Sequence, residues 1–158
     1  MPRRLPSVFA ALLLLVAAPA LLPGSARAQS LTVEGNIVAG PCTLTREELD
    51  KLPRGEFTTT TQWTQGKATF RGVMGQALMR SLGAAGTMVE AHALDGYTIE
   101  IPLDDFETTP MLIADQMDGK PLPKDKGPFW IVYPYDAGYD AQQYVDRSVW
   151  ALDKLVVK

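Results

Sequence analysis

Beyond residue 28, every stretch able to form a strand or helix is short, and each is cut off by a glycine, a proline or an Asp-Gly pair. Such punctuation implies many short strands and few helices, an α+β class with a β-rich core. Leu31 to Val38 reads as a strand. Thr45 and Glu48 have capping-box spacing and start a short helix over Arg46–Leu52, before Pro53. Glu56 to Trp63 is rich in β-branched threonine and reads as a strand, with Ala68 to Val73 as a shorter one. Met74 to Leu82 is predicted helical, with Ala77, Leu78, Ser81 and Leu82 on one face and Gly83 as its stop. Thr87 to Leu94 and Tyr97 to Ile101 form a hairpin about Asp95-Gly96. Pro102 to Phe106 is a turn or short helical piece. Met111 to Met117 is strand-like or irregular and runs into a second turn, Asp118-Gly119. Phe129 to Tyr133 is an apolar strand stopped by Pro134. The loop Tyr135–Tyr139 leads to a final segment, Tyr144 to Val157.

The first 28 residues differ in kind. Arg3 and Arg4 precede an apolar run from Val8 to Leu22, Pro23 and Gly24 break it, and Ala26-Arg27-Ala28 offers small residues at −3 and −1. These are the parts of a secretory signal peptide, expected to be cut near Ala28. The run is shorter than the ~20 residues that span a bilayer as a helix. The paired arginines lack the polar residue before them and the apolar pattern after them that a twin-arginine signal carries. Secretion of the unfolded chain into the periplasm is therefore expected. What remains, 29–158, is one domain, long enough to bury its own core. It keeps twelve basic residues against eighteen acidic ones, a net charge of −6. That balance is unfavourable for nucleic acid and for anionic lipid. With no second long apolar segment, no membrane insertion is expected after cleavage.

Cys42 is the single cysteine and His92 the single histidine. One cysteine makes no disulfide within the chain. Cys-His catalysis would need these two to converge, and zinc would need more ligands. Cys42 reads as a small hydrophobe or idle thiol, and His92, alternating with Glu90 and Leu94, as a structural histidine. Asp104, Asp105 and Glu107 lack the ligand spacing and turn glycine of a calcium loop; they read as a solvated acidic face.

The order of motifs carries a resemblance. Leu52-Pro53 closes a helix and a threonine-rich strand follows. Phe70-Arg71-Gly72-Val73 then leads into a Leu-bearing helix. Next come Ala93-Leu94-Asp95-Gly96-Tyr97, Met117-Asp118-Gly119-Lys120-Pro121-Leu122-Pro123 and Gly127-Pro128-Phe129-Trp130-Ile131-Val132-Tyr133-Pro134. From about Leu31 to Val157 the chain resembles the molybdopterin-binding domain of the sulfite oxidase family. The resemblance implies the sulfite-oxidase fold with a pterin pocket on one side. In the family's enzymes the threonine-rich strand ends in the cysteine that holds molybdenum. Here Phe57-Thr58-Thr59-Thr60-Thr61-Gln62-Trp63 ends in an indole, which supplies no thiolate. Cys42 lies well before it, and Trp130 stands where the enzymes often carry arginine. The resemblance thus implies a pocket without molybdenum. The domain resembles small exported members that bind reduced pterins and relay their presence to a membrane-bound signalling enzyme, such as a cyclic-di-GMP synthase or phosphodiesterase. The stretch Tyr144-Val145-Asp146-Arg147-Ser148-Val149-Trp150-Ala151-Leu152 fits that group.

A pterin is a flat bicycle with a 2-amino-4-oxo edge. Its face suits an aromatic plate, its N–H edge a carboxylate, and its carbonyl a donor. Trp63 is the candidate plate, or else a core aromatic. Asp95 could accept from the amino edge, with Tyr97 beside it, or simply form its turn. Arg147 could donate to the carbonyl or make a surface ion pair, and Ser148 adjoins it. Tyr135 and Asp136 sit in a loop able to close the rim. Trp130 and Trp150 lie in apolar contexts that suit core packing, with Trp130 kept as a candidate contact. Three functions follow: a periplasmic pterin-binding module docking on an inner-membrane signalling protein, a divergent molybdopterin oxidoreductase, or a scaffold that binds no ligand.

Overall fold

The computed structural model describes residues 29–158, so the expected signal segment lies outside the described residues. Alternation of buried and exposed side chains defines the strands. In β1 (Ser30–Gly35) Leu31 and Val33 are buried between less buried neighbours, and in β5 (Met88–Ala93) Val89, Ala91 and Ala93 are. A period of two turns one face of each strand to the core. β1 pairs antiparallel with β2 (Cys42–Thr45) and parallel with β10 (Leu152–Val157). β5 and β6 (Thr98–Pro102) complete that sheet, in the order β2-β1-β10-β5-β6. A second sheet runs β3 (Arg54–Thr60), β4 (Lys67–Met74), β7 (Leu112–Met117) and β8 (Lys120–Pro121), and β9 (Trp130–Val132) also pairs with β7. Leu31, Val89, Ile101 and Leu155 from the first sheet join Phe70, Val73, Ile113 and Ile131 from the second in one hydrophobic cluster. Each such side chain contributes about 1.5–3 kcal/mol when fully buried.

The helices are short. In α1 (Arg46–Leu49) the Thr45 hydroxyl accepts from the Glu48 N–H at 3.3 Å, and the Glu48 carboxylate accepts from the Thr45 N–H at 2.7 Å. The capping box is therefore present, and these bonds hold the Glu48 carboxyl below the ordinary range. The helix stops short of Leu52, because Lys51 and Leu52 bond three residues back as the chain tightens before Pro53. α2 (Gly75–Leu82) ends at Gly83, whose φ of 61° is left-handed. Its buried face is Gly75, Leu78, Met79 and Leu82, not the expected set with Ala77 and Ser81. The larger apolar Met79 takes the core position, and the Ser81 hydroxyl donates back to the Leu78 carbonyl. α3 (Leu103–Thr108) falls on the expected turn or short helical piece and runs two residues past Phe106, whereas α4 (Gln142–Asp146) is additional to the helices expected and too short to show helical periodicity. β2 was likewise unmarked, having only four residues.

Two departures bear on the site. The threonine-rich strand ends at Thr60, so Trp63 lies in the following turn rather than at the strand's end. Within the expected acidic face, Asp105 is buried, where it binds Arg147 and Tyr133.

Gly72 shows how closely β4 and β7 approach. The pairing register shifts between Arg71 and Gly72, and a Cβ at Gly72 would lie 2.1 Å from the Ile113 carbonyl oxygen. Gly72→Ala is expected to destabilise the fold by roughly 1–3 kcal/mol, the cost of overpacking, read as a lowered denaturation midpoint.

Candidate functional site

Between the turn after β3, the β5–β6 hairpin and the α4 segment lies a cleft of about 270 Å³. Trp63 and Trp150 form its aromatic wall, Ala93 and Val149 line it, and Asp95, Tyr97, Gln142 and Asp146 supply polar groups. This size is near the lower end for small-molecule sites, ~300–1,000 Å³, and the blend of an apolar body with few polar groups is typical of them.

Threonines build the turn that presents Trp63. The Thr61 hydroxyl accepts from the Trp63 N–H at 3.1 Å and pairs with the Thr64 hydroxyl at 3.0 Å, and Thr64 donates to the Gly66 carbonyl at 3.0 Å. The indole is held edge-on by Trp150 at 5.1 Å and Trp130 at 5.8 Å between centroids. Such pairs add about 0.5–1.5 kcal/mol each beyond burial. The Lys126 ammonium lies 4.3 Å from the Trp150 ring centroid, a cation–π contact on the same cluster.

Asp95 is exposed, and one of its oxygens accepts the Tyr97 N–H at 3.0 Å. A carboxylate has acceptor capacity beyond that single bond. The Tyr97 hydroxyl donates to the Asp146 carbonyl at 3.0 Å, tying the hairpin to α4 across the cleft. Partial burial, and next the Asp146 charge, push the Tyr97 phenol above its ordinary range. Gln142 donates to the Asp146 carboxylate at 2.7 Å.

Four of the eight residues expected in the site therefore converge on this cleft: Trp63, Asp95, Tyr97 and Ser148. The other four do not line it. Trp130 is 0% exposed and packs behind the wall, edge-on to Phe70 at 5.2 Å, with no hydrogen-bond acceptor for its ring nitrogen among the described residues. Arg147 gives its guanidinium to buried Asp105 at 2.8 Å, so the expected donor to a pterin carbonyl is already engaged. Tyr135 is buried and hydrogen-bonded to the Ser148 hydroxyl, which itself donates to the Tyr144 carbonyl at 2.7 Å. Asp136 anchors its loop to β3 instead of closing the rim. It accepts from Thr60 at 2.5 Å and pairs with Lys67 at 3.2 Å, and its N–H donates to the buried Thr59 hydroxyl. The Thr60 bond, with Lys67, keeps its carboxyl below the ordinary range. Sequence reasoning missed Gln62, Gln142, Val145 and Asp146, and rated Trp150 a core residue although it lines the wall. For Val145, Asp146 and Trp150 the signal was position within the Tyr144–Leu152 stretch marked by the resemblance; Gln62 adjoins Trp63, and Gln142 lies just ahead of that stretch.

Two tyrosines beneath α4 give the site a pH signature. Burial pushes the Tyr135 phenol up to about 12, and burial together with the Asp105 charge pushes Tyr133 higher still. Both phenols keep their protons in the folded state after the unfolded chain would lose them near pH ~10. Folding stability is therefore expected to be intact below about pH 10 and to fall above it, by roughly 1.4 kcal/mol per pH unit for Tyr135 alone up to its folded value. Denaturant midpoints taken between pH 8 and 11 read this directly.

A family model, described as an oxidoreductase molybdopterin binding domain, matches residues 22–153. No curated protein matches the chain. The chain belongs to the oxidoreductase molybdopterin-binding domain family, and the mixed sheets with short helices are consistent with its α+β fold. The cleft's donor set fits part of the group that the family name implies. An indole wall and a rim carboxylate suit a pterin bicycle. Molybdenum and the cofactor's phosphate are not matched. Cys42 sits in β2, paired with Val33 of β1 within the first sheet, and is not a lining residue. Burial, with Glu48 adding to it, raises its thiol's pKa, which disfavours the thiolate. No lysine or arginine is among the cleft's lining residues.

Proposed function

We propose that this member of the oxidoreductase molybdopterin-binding domain family is an exported pterin-binding module, one that works in the periplasm without molybdenum redox chemistry. The observation that carries the reading is the cleft itself. It sets the Trp63 indole, which by the resemblance stands where the family's enzymes carry a metal-holding cysteine, beside the Asp95 rim carboxylate. The indole face supplies stacking, and the Asp95 carboxylate accepts the N–H edge of the ring. No proton or electron transfer is required of either residue. Signalling follows from the rim's position. Leu94 and Tyr97 are 54% and 45% exposed beside the cleft, so a bound ring would alter a surface that a partner can read. The partner in this reading is the periplasmic part of an inner-membrane signalling protein, such as a cyclic-di-GMP enzyme or a sensor kinase. Among the described residues no helix is long and apolar enough to cross a membrane, so contact through such a partner is the route proposed.

Family membership favours a second reading, a divergent molybdopterin oxidoreductase. One preparation separates the two. Protein purified from the periplasm of a host able to make molybdenum cofactor is extracted for mass spectrometry and analysed for metal. The binding module is expected to release a pterin without molybdenum. Stoichiometric molybdenum would instead support the oxidoreductase.

A further inference from the structure

Trp63 lines two clefts, and it is the one residue that their linings share. The first is the cleft described above, whose charged lining residues are the carboxylates Asp95 and Asp146. The second, about 320 Å³, holds Lys67 and Lys126, with Asp118 and Asp125. Its aspartates are partly committed: Asp118 accepts the Thr69 N–H at 2.8 Å, and Asp125, largely exposed, lies 3.6 Å from the Lys126 ammonium. The indole is thus a partition. Among the described residues, one side is lined by carboxylates with no lysine or arginine, and the other by Lys67, paired with Asp136 at 3.2 Å, and Lys126, which lies 4.3 Å from the Trp150 centroid. Trp130 holds the partition edge-on from behind, and Trp150 holds it edge-on from beside it in the wall of the first cleft.

We infer that Trp63 sets the ligand class, admitting pterins with an uncharged side chain and refusing those that carry a phosphate. A phosphate bound with its ring in the first cleft would sit among like charges, while the lysines able to pair with it lie behind the indole. Asp95 and Asp146 are exposed, and like charges a few ångströms apart at such a partly solvated rim still repel enough to bias selection. The inference rests on the pterin reading above and deepens it.

The test uses two probes that differ only in charge, 6-hydroxymethyl-7,8-dihydropterin and its phosphate monoester, titrated anaerobically by calorimetry. The wild-type protein is expected to bind the alcohol at least about tenfold more tightly than the phosphate, since each factor of ten needs only ~1.4 kcal/mol of repulsion. Trp63→Ala joins the clefts and is expected to shrink or reverse that preference, whatever it does to absolute affinity. Trp63→Phe keeps a ring in place and is expected to retain the preference. Asp146→Asn leaves the partition intact and removes a like charge. It is expected to narrow the preference severalfold, and this arm stands even where Trp63→Ala fails to fold. Equal wild-type affinity for the two probes would overturn the inference, as would an unchanged preference in folded Trp63→Ala or in Asp146→Asn. If the wild type binds neither probe, the pterin reading itself falls, and this inference falls with it.

Discussion

Arg147→Ala is expected to lower folding stability by about 3 kcal/mol, at the lower end of what breaking a buried ion pair costs. The magnitude comes from Asp105, not from the arginine. Asp105 is buried, accepts from the Tyr133 hydroxyl at 3.0 Å, and has the Arg147 guanidinium at 2.8 Å. Removing that cation leaves a buried carboxylate with only a phenol as partner. Arg147→Lys is expected to recover part of the loss, because an ammonium keeps the charge, while the bond that Arg147 Nη1 donates to Asp105 depends on the longer guanidinium side chain. The same change loosens the cleft. Arg147 follows α4 directly, and Asp146 and Ser148 on either side of it line the cavity. Amide exchange in residues 142–149 is therefore expected to rise more than the global loss alone would produce. A shifted denaturant midpoint with an unchanged slope would show that stability, not the extent of unfolding, has moved.

Trp63→Ala is expected to weaken binding of a reduced, uncharged pterin by about tenfold to a hundredfold, the range that stacking of a heterocycle on an aromatic side chain spans when that side chain is truncated. Asp95→Asn should cost less, since an amide oxygen still accepts one of the edge's N–H groups. Tryptophan reports both variants, because Trp63, Trp130 and Trp150 are the chain's three tryptophans and all belong to one cluster. The wild-type signal should change on saturation and that change should move to higher ligand concentration in either variant. A Trp63→Ala protein that is folded and binds as tightly as wild type would remove the indole from the account.

Much of the fold was legible because alternation and punctuation carry it. The Asp95-Gly96 hairpin, the capping box at Thr45 and the left-handed stop at Gly83 each depend on a few adjacent residues, and each is where the sequence put it. Short elements without a cap or turn signal were not legible. α4 and β2 are too short for periodicity to reveal them and carry no such signal. The site divided along a similar line. Asp95 and Tyr97 line the cleft because their hairpin carries them there, and Trp63, singled out through the resemblance, lines it from the turn after the threonine strand. Arg147 and Asp136 were placed near the right elements, but their partners were hidden. Asp105 is 42 residues from Arg147, and Thr60 is 76 from Asp136, so no local pattern links either pair. Asp105 was read as solvated because it sits in an acidic run, whereas tertiary packing buries it and supplies its cation.

The account stands most directly on whether the Trp63 cleft holds a pterin. Anaerobic titration of the purified protein with tetrahydropterin, followed by tryptophan fluorescence, decides it. One saturable transition at one ligand per chain, weakened by Trp63→Ala and by Asp95→Asn, is the expected result. Unchanged emission through saturating ligand, with calorimetry also showing no heat of binding, would contradict it.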